Sequence, residues 1–237
     1  MNFVGVDACK KGWFAVALDL QGNWDIAIFK TIDAFGSAFQ NAAAIFIDMP
    51  IGLPHENKRR CDTETRKILN RRASSVFPVP CREALHADTY RQACRVNRQV
   101  LGVKLTIQTW NISAKILEVD RFLRNNKQTR PRFRESHPEL CFWALAGERT
   151  MAFSKKTAEG FAERCSVLIE KCPQANEIVQ QSLNQFKRKD LARDDIADAL
   201  ALAISAKIGL NSSRTIPRDP PLDKKGLPME TVYAVPD

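Results

Sequence analysis

"FVGVDACKKGWFAVALDLQGNWDIAIFK", residues 3–30, holds three β-rich runs in close succession. The first, 3–8, ends at a turn built from "CKKG". The second covers 13–20. Gly22 and Asn23 form a hairpin signal, and the third, 24–30, alternates with period two. Thr31 is placed to cap a helix over 32–41, with Ile32, Phe35 and Phe39 on one face. The next run, "AAIFIDMP" (43–50), is nearly all apolar, as a strand buried on both faces should be; Pro50 and Pro54 end it.

Beyond this the period changes. Residues 60–126 read as helical, broken at the proline-rich "SSVFPVPC" (74–81). Trp110, Ile112, Ile116, Val119 and Leu123 predict one long amphipathic helix. "RFRESHPEL" (132–140) predicts a short strand running into a helix. Two helices separated by Pro173 follow over 157–189, and a last one over 193 to about 208. A turn-rich tail carries an edge strand at 230–235. Hairpin strands, then strand and helix in alternation, specify an α/β domain: a mixed sheet flanked by helices, with a mostly helical insertion at about 55–126. The chain of 237 residues accommodates this as a single domain.

Composition narrows the function classes. The formal charge is +9, which favours polyanionic partners. The charge is clustered: residues 58–72 carry seven basic and two acidic side chains, and 121–134 carry six basic and no acidic ones. Both clusters suggest a track for phosphates; each is equally compatible with a solvated surface. The seven cysteines are scattered and contain no Cys-x-x-Cys pair, so neither a zinc site nor a disulfide framework is expected. The N-terminus predicts no secretory signal, and no segment is long and apolar enough for a membrane span. The expected setting is the reducing cytoplasm. No P-loop or GxGxxG pattern occurs.

The acids are placed unusually. Asp7 and Asp48 end two buried strands, where ligand sites of open α/β sheets gather. Either could instead be a plain turn residue. In "RDDIADALALAISA" (193–206), Asp194, Asp195 and Asp198 share adjoining strips of one helix. Like charges at such spacings cost about 0.2–0.5 kcal/mol each. The helix dipole offsets part of this in the first turn, so Asp194 reads as ordinary N-terminal charge. Asp198 lies further in, where the helix is apolar nearly all round and buried. It needs a basic partner or a cation. Asp7, Asp48, Asp195 and Asp198 together form a hard-oxygen set suited to Mg²⁺ or Mn²⁺, and two such ions serve phosphodiester cleavage. Glu135, His137 and Glu139 are a further group at a strand end, either structural or supplying Glu135 as an extra catalytic acid. Lys155 and Lys156 could hold phosphate or lie in a solvated loop.

These residues carry a resemblance. "FVGVDACKKGWFAVAL" is similar to the first hairpin of ribonuclease H-like enzymes, and "DIADALALAIS" to the closing helix of bacterial Holliday-junction resolvases. In order along the chain, "GVDACKKGW", "IDMPIGLP", "RRASSVFPVPCREAL", "QTWNISAKILEVD", "ESHPEL", "SKKT", "RDDIADALALA" and "PPLDKKGLPME" resemble the domain-of-unknown-function 429 family, described as a predicted ribonuclease H-like nuclease. The resemblance implies a ribonuclease H-like sheet, with Asp7, Asp48, Asp195 and Asp198 as metal-binding catalytic acids and Glu135 as a family-specific addition. Basic residues within those motifs, Arg72, Arg82, Lys115, Lys155 and Lys156, are the candidate substrate contacts. Ribonuclease H proper uses an acid on its first helix; here only Asp33 is available, at the helix start, so the resolvase pattern fits better.

The expectation is a Mg²⁺- or Mn²⁺-dependent nuclease acting on DNA or RNA, with no membrane partner. A catalytically silent nucleic-acid-binding protein is the alternative. A phosphotransferase of the related actin-like clan would need glycine-rich phosphate loops, and the ten glycines are nowhere clustered.

Overall fold

A computed structural model describes residues 1–236. The chain divides into two compact units: residues 1–48, 129–214 and 232–237 form the first, and 49–128 with 215–231 the second.

The first unit is built on a five-stranded mixed sheet in the order β3-β2-β1-β4-β5. β1 (Phe3–Cys9) pairs antiparallel with β2 (Gly12–Leu18), which pairs antiparallel with β3 (Trp24–Phe29). The β2–β3 turn is fixed by Asp19, whose Oδ1 accepts the Gln21 and Asn23 amides. β4 (Ala44–Ile47) and β5 (Phe133–Glu135) add on in parallel. This is the α/β arrangement expected from the order of the elements, a mixed sheet flanked by helices.

Both sheet faces are covered. On one, α1 (Ile32–Ala38) starts at Thr31, whose hydroxyl accepts the Ala34 amide, and its Phe35 meets Phe29 and Phe133 edge-on. On the other lies a larger core. α6 (Pro138–Leu145), α7 (Ala158–Lys171), α8 (Ala175–Gln185) and α9 (Arg193–Ser212) supply it together with Phe3, Phe14, Val16 and Phe46. Pro138 sits at the first turn of α6, where its missing N–H costs nothing. α9 is the central piece: Ile196 through Ser205 are all buried. It continues four residues past its expected end and passes directly into β6 (Ser213–Ile216), which pairs with β7 (Thr231–Ala234).

The second unit is mostly helical. It contains α2 (Arg60–Leu69), α3 (Tyr90–Leu101), α4 (Ile107–Asn111) and α5 (Ser113–Asn125). The insertion expected at 55–126 falls inside it, but the unit also takes up 215–231. Asp223 explains this: it accepts the Leu53, Lys225 and Leu227 amides and pairs with Arg82. The long amphipathic helix expected from Trp110 to Leu123 is two helices. Ile112 leaves the helical conformation at ψ 2°, and Ser113 donates its hydroxyl back to the Thr109 carbonyl. Such back-bonding bends a helix. No helix among the described residues is long and apolar enough to cross a membrane.

Candidate active site

The position of the site follows from one glycine. A Cβ on Gly5 would stand 2.0 Å from the Ala199 carbonyl oxygen and 2.3 Å from the Ala203 amide nitrogen. With only hydrogen there, α9 rests on the backbone of β1. Alternation along the strand puts Asp7 on that same face, about 6.6 Å further on. On α9 the strips through Ala199 and Leu202, which both meet Gly5, continue toward the N-terminus as Asp195 and Asp198, each one turn or about 5.4 Å away. The two advances match, so strand and helix bring their acids to one level. Asp48 arrives from β4, its amide held by the Val6 carbonyl at 3.0 Å.

The electrostatics show that these carboxylates are neighbours. Burial first, then the charges of Asp48, Asp198 and Asp195, raise the Asp7 pKa well above the carboxylate range. Burial and Asp198 likewise raise Asp48, partly opposed by His137 and Lys155. Asp195 is pushed up to about 6 by burial, with Asp194 and Asp198 adding to it. It also does local work: its Oδ2 accepts the Ala192 amide at 3.1 Å, capping the first turn of α9.

Lys155 is the counter-charge. Its ammonium pairs with the buried Asp198 carboxylate. Burial works against that charge, yet Asp198, Asp7 and Asp48 outweigh it and hold the lysine pKa above its ordinary value. Lys156 pairs with Asp194 at 2.6 Å and keeps that carboxyl below its ordinary pKa despite burial. Asp194 is therefore a buried ion-pair partner, more than the simple N-terminal charge its position suggested. The two lysines serve as counter-ions to helix acids. Neither is simply a solvated loop lysine.

Glu135 is not brought into the group. It is paired in register with Ile47, and alternation puts it on the sheet face opposite Phe46 and Gly5. The residue from that motif that does reach the site is His137, beside Asp48. Only its place two residues past a strand end pointed there. Glu139 is structural: it forms a buried bidentate pair with Arg164, which also stacks over Phe142.

The remaining basic candidates belong to the second unit. Arg82 is paired with Asp120 and Asp223, two buried carboxylates that use its fork. Lys115 pairs with Glu118 at 3.3 Å, one turn along α5. Arg72 is half-buried in a 3₁₀ segment, Asn70–Ser75.

Among the described residues, no group of three or more His, Cys, Asp or Glu side chains is arranged so that it could hold a metal ion. The donors that do gather are hard oxygens: four carboxylates share a partly buried site, with a lysine ammonium as positive charge among them. Asp198 is turned to that ammonium.

A family model described as Protein of unknown function (DUF429) matches residues 5–222. The chain belongs to the DUF429 family. The match takes in Asp7, Asp48, Asp195 and Asp198, so the DUF429 region contains the whole carboxylate group together with Lys155. No curated protein and no solved structure matches the chain.

Proposed function

We propose that this protein is a Mg²⁺- or Mn²⁺-dependent nuclease that hydrolyses phosphodiester bonds of DNA or RNA. One observation carries the reading: Asp7, Asp48, Asp195 and Asp198 come from two strand ends and one helix start, neighbouring charges within the group raise the pKa of Asp7, Asp48 and Asp195, and a single partly buried ammonium acts on all four. Oxygen donors in negative excess suit Mg²⁺ or Mn²⁺. Asp7, Asp48 and Asp198 would hold the ion, with Asp195 completing the set. When bound, such an ion acidifies a water and neutralises charge developing on phosphoryl oxygens.

The chain's own groups do the rest. Gly5 lets α9 present Asp195 and Asp198 at the level of Asp7. The N-terminal dipole of α9 favours negative charge at that spot. Lys155, with a side chain 38% exposed, supplies positive charge where a phosphate would approach. His137 is placed to act on the charge of Asp48. The overall charge of +9 favours a polyanionic substrate. The seven free thiols support a cytoplasmic setting.

A second reading is nucleic-acid binding without catalysis. The pairing of Lys155 with Asp198 favours it, since that ammonium would then complete the site as a permanent structural cation. Incubation of purified protein with single-stranded and duplex DNA and RNA, in Mg²⁺ or Mn²⁺, separates the two. Cleavage that disappears in both Asp7→Asn and Asp48→Asn supports the nuclease. Cleavage surviving in those variants, or none with any substrate and metal, removes it.

A further inference from the structure

We infer that a groove within the second unit binds single-stranded nucleic acid, with Phe77 stacking a base and Lys58, Arg66 and Lys67 taking the phosphates. This inference rests on the reading of the chain as acting on nucleic acid, and it names the form of that substrate.

The groove measures about 710 Å³, within the usual range for ligand sites. Its lining comes entirely from residues 58–108. One wall is cationic. Lys58, Arg66 and Lys67 are all exposed. Arg66 is held in place by one of its N–H groups, which donates to the Val76 carbonyl at 2.6 Å. The one acid in the lining, Asp62, is already neutralised: the buried Arg59 donates to it through Nε at 3.0 Å, and the Val79 amide adds a weaker bond. Anions entering the groove therefore meet positive charge without a competing carboxylate.

Much of the remaining lining is apolar. Phe77 is 40% exposed, uncommon for a large aromatic, and lies beside Val76 and Pro78. Thr106 and Gln108 add hydrogen-bonding groups able to meet a base edge. An aromatic face beside a row of cations is the pairing that tracks a single strand: every base has a π-face, and every step has a phosphate. A duplex hides its base faces and could use only the cations. A free nucleotide shares the chemistry but would leave most of the row idle.

The test is fluorescence anisotropy in EDTA, where cleavage is silenced. The probe is a labelled oligothymidylate of about twelve nucleotides, long enough to fill one such site, with the same sequence paired to its complement and with thymidine monophosphate as competitors. Wild type should prefer the single strand. Phe77→Ala should weaken binding about tenfold, and Phe77→Tyr should restore it, since stacking survives. The double variant Arg66→Gln, Lys67→Gln should lower the salt slope by about 1.4, at about 0.7 per phosphate on a single strand. Circular dichroism checks that each variant is folded.

Binding unchanged in both Phe77→Ala and the double variant overturns the inference. So does a preference for duplex, or competition by the mononucleotide as effective as by the oligomer. The outcome is separable from the nuclease reading. Asp7-dependent cleavage with indifferent groove variants removes the groove alone. Phe77-dependent binding without any Asp7-dependent cleavage removes the nuclease and leaves the groove.

Discussion

Replacing Asp195 by asparagine should stabilise the protein, and the gain should depend on pH. Asp195 caps α9 by accepting the Ala192 amide, and an asparagine carbonyl can accept the same bond. What changes is charge. Burial, followed by Asp194 and Asp198, raises this carboxyl from 3.8 to about 6 against the opposing cap and Lys155. In the unfolded chain it titrates near its ordinary value. Between about pH 4 and 6 the folded state therefore holds a proton that the unfolded state has lost, and stability falls as pH rises through that window. At about 1.4 kcal/mol per unit, a shift of about two units amounts to about 3 kcal/mol. The variant lacks this loss. Its advantage should be close to zero near pH 4 and approach about 3 kcal/mol above pH 6. Urea unfolding in EDTA at the two pH values reads the difference from the midpoints. A variant no more stable than wild type above pH 6, or a difference equal at both pH values, would refute the account of a site holding excess negative charge.

Three further predictions follow the same logic. Lys155→Met removes the shared ammonium from Asp198, Asp7 and Asp48; it should cost about 1–3 kcal/mol in unfolding experiments, the lysine being partly exposed. Gly5→Ala drives a methyl into the backbone of α9; it should cost about 3 kcal/mol or more in thermal unfolding and displace Asp195 and Asp198 from Asp7. Glu139→Gln strands the buried Arg164 guanidinium, costing about 3–5 kcal/mol. Where it is folded, its Mn²⁺ affinity should match wild type.

The sheet was legible because each strand is short, bounded by turn residues and apolar on the faces it buries. Asp7 and Asp48 could be placed from strand ends alone, and Asp198 from its depth in an apolar helix. Glu135 misled because a strand end has two faces. Its pairing with Ile47, which sets the face, is a long-range register that no local pattern encodes. The partners of Lys155 and Lys156 were hidden for a related reason: they lie 43 and 38 residues away in sequence. Arg82 reaches Asp223 across 141 residues, and the same contact hides the membership of 215–231 in the second unit. The break at Ile112 depends on Ser113 bonding back to Thr109, which the apolar spacing of Trp110 to Leu123 conceals.

Titration calorimetry of Mn²⁺ into wild type, Asp7→Asn and Asp198→Asn tests the central claim directly: that four converging carboxylates make a divalent-cation site. The account predicts saturable Mn²⁺ binding by wild type and its loss in both variants, each still folded. Equal binding by all three proteins, or none by wild type, would contradict it.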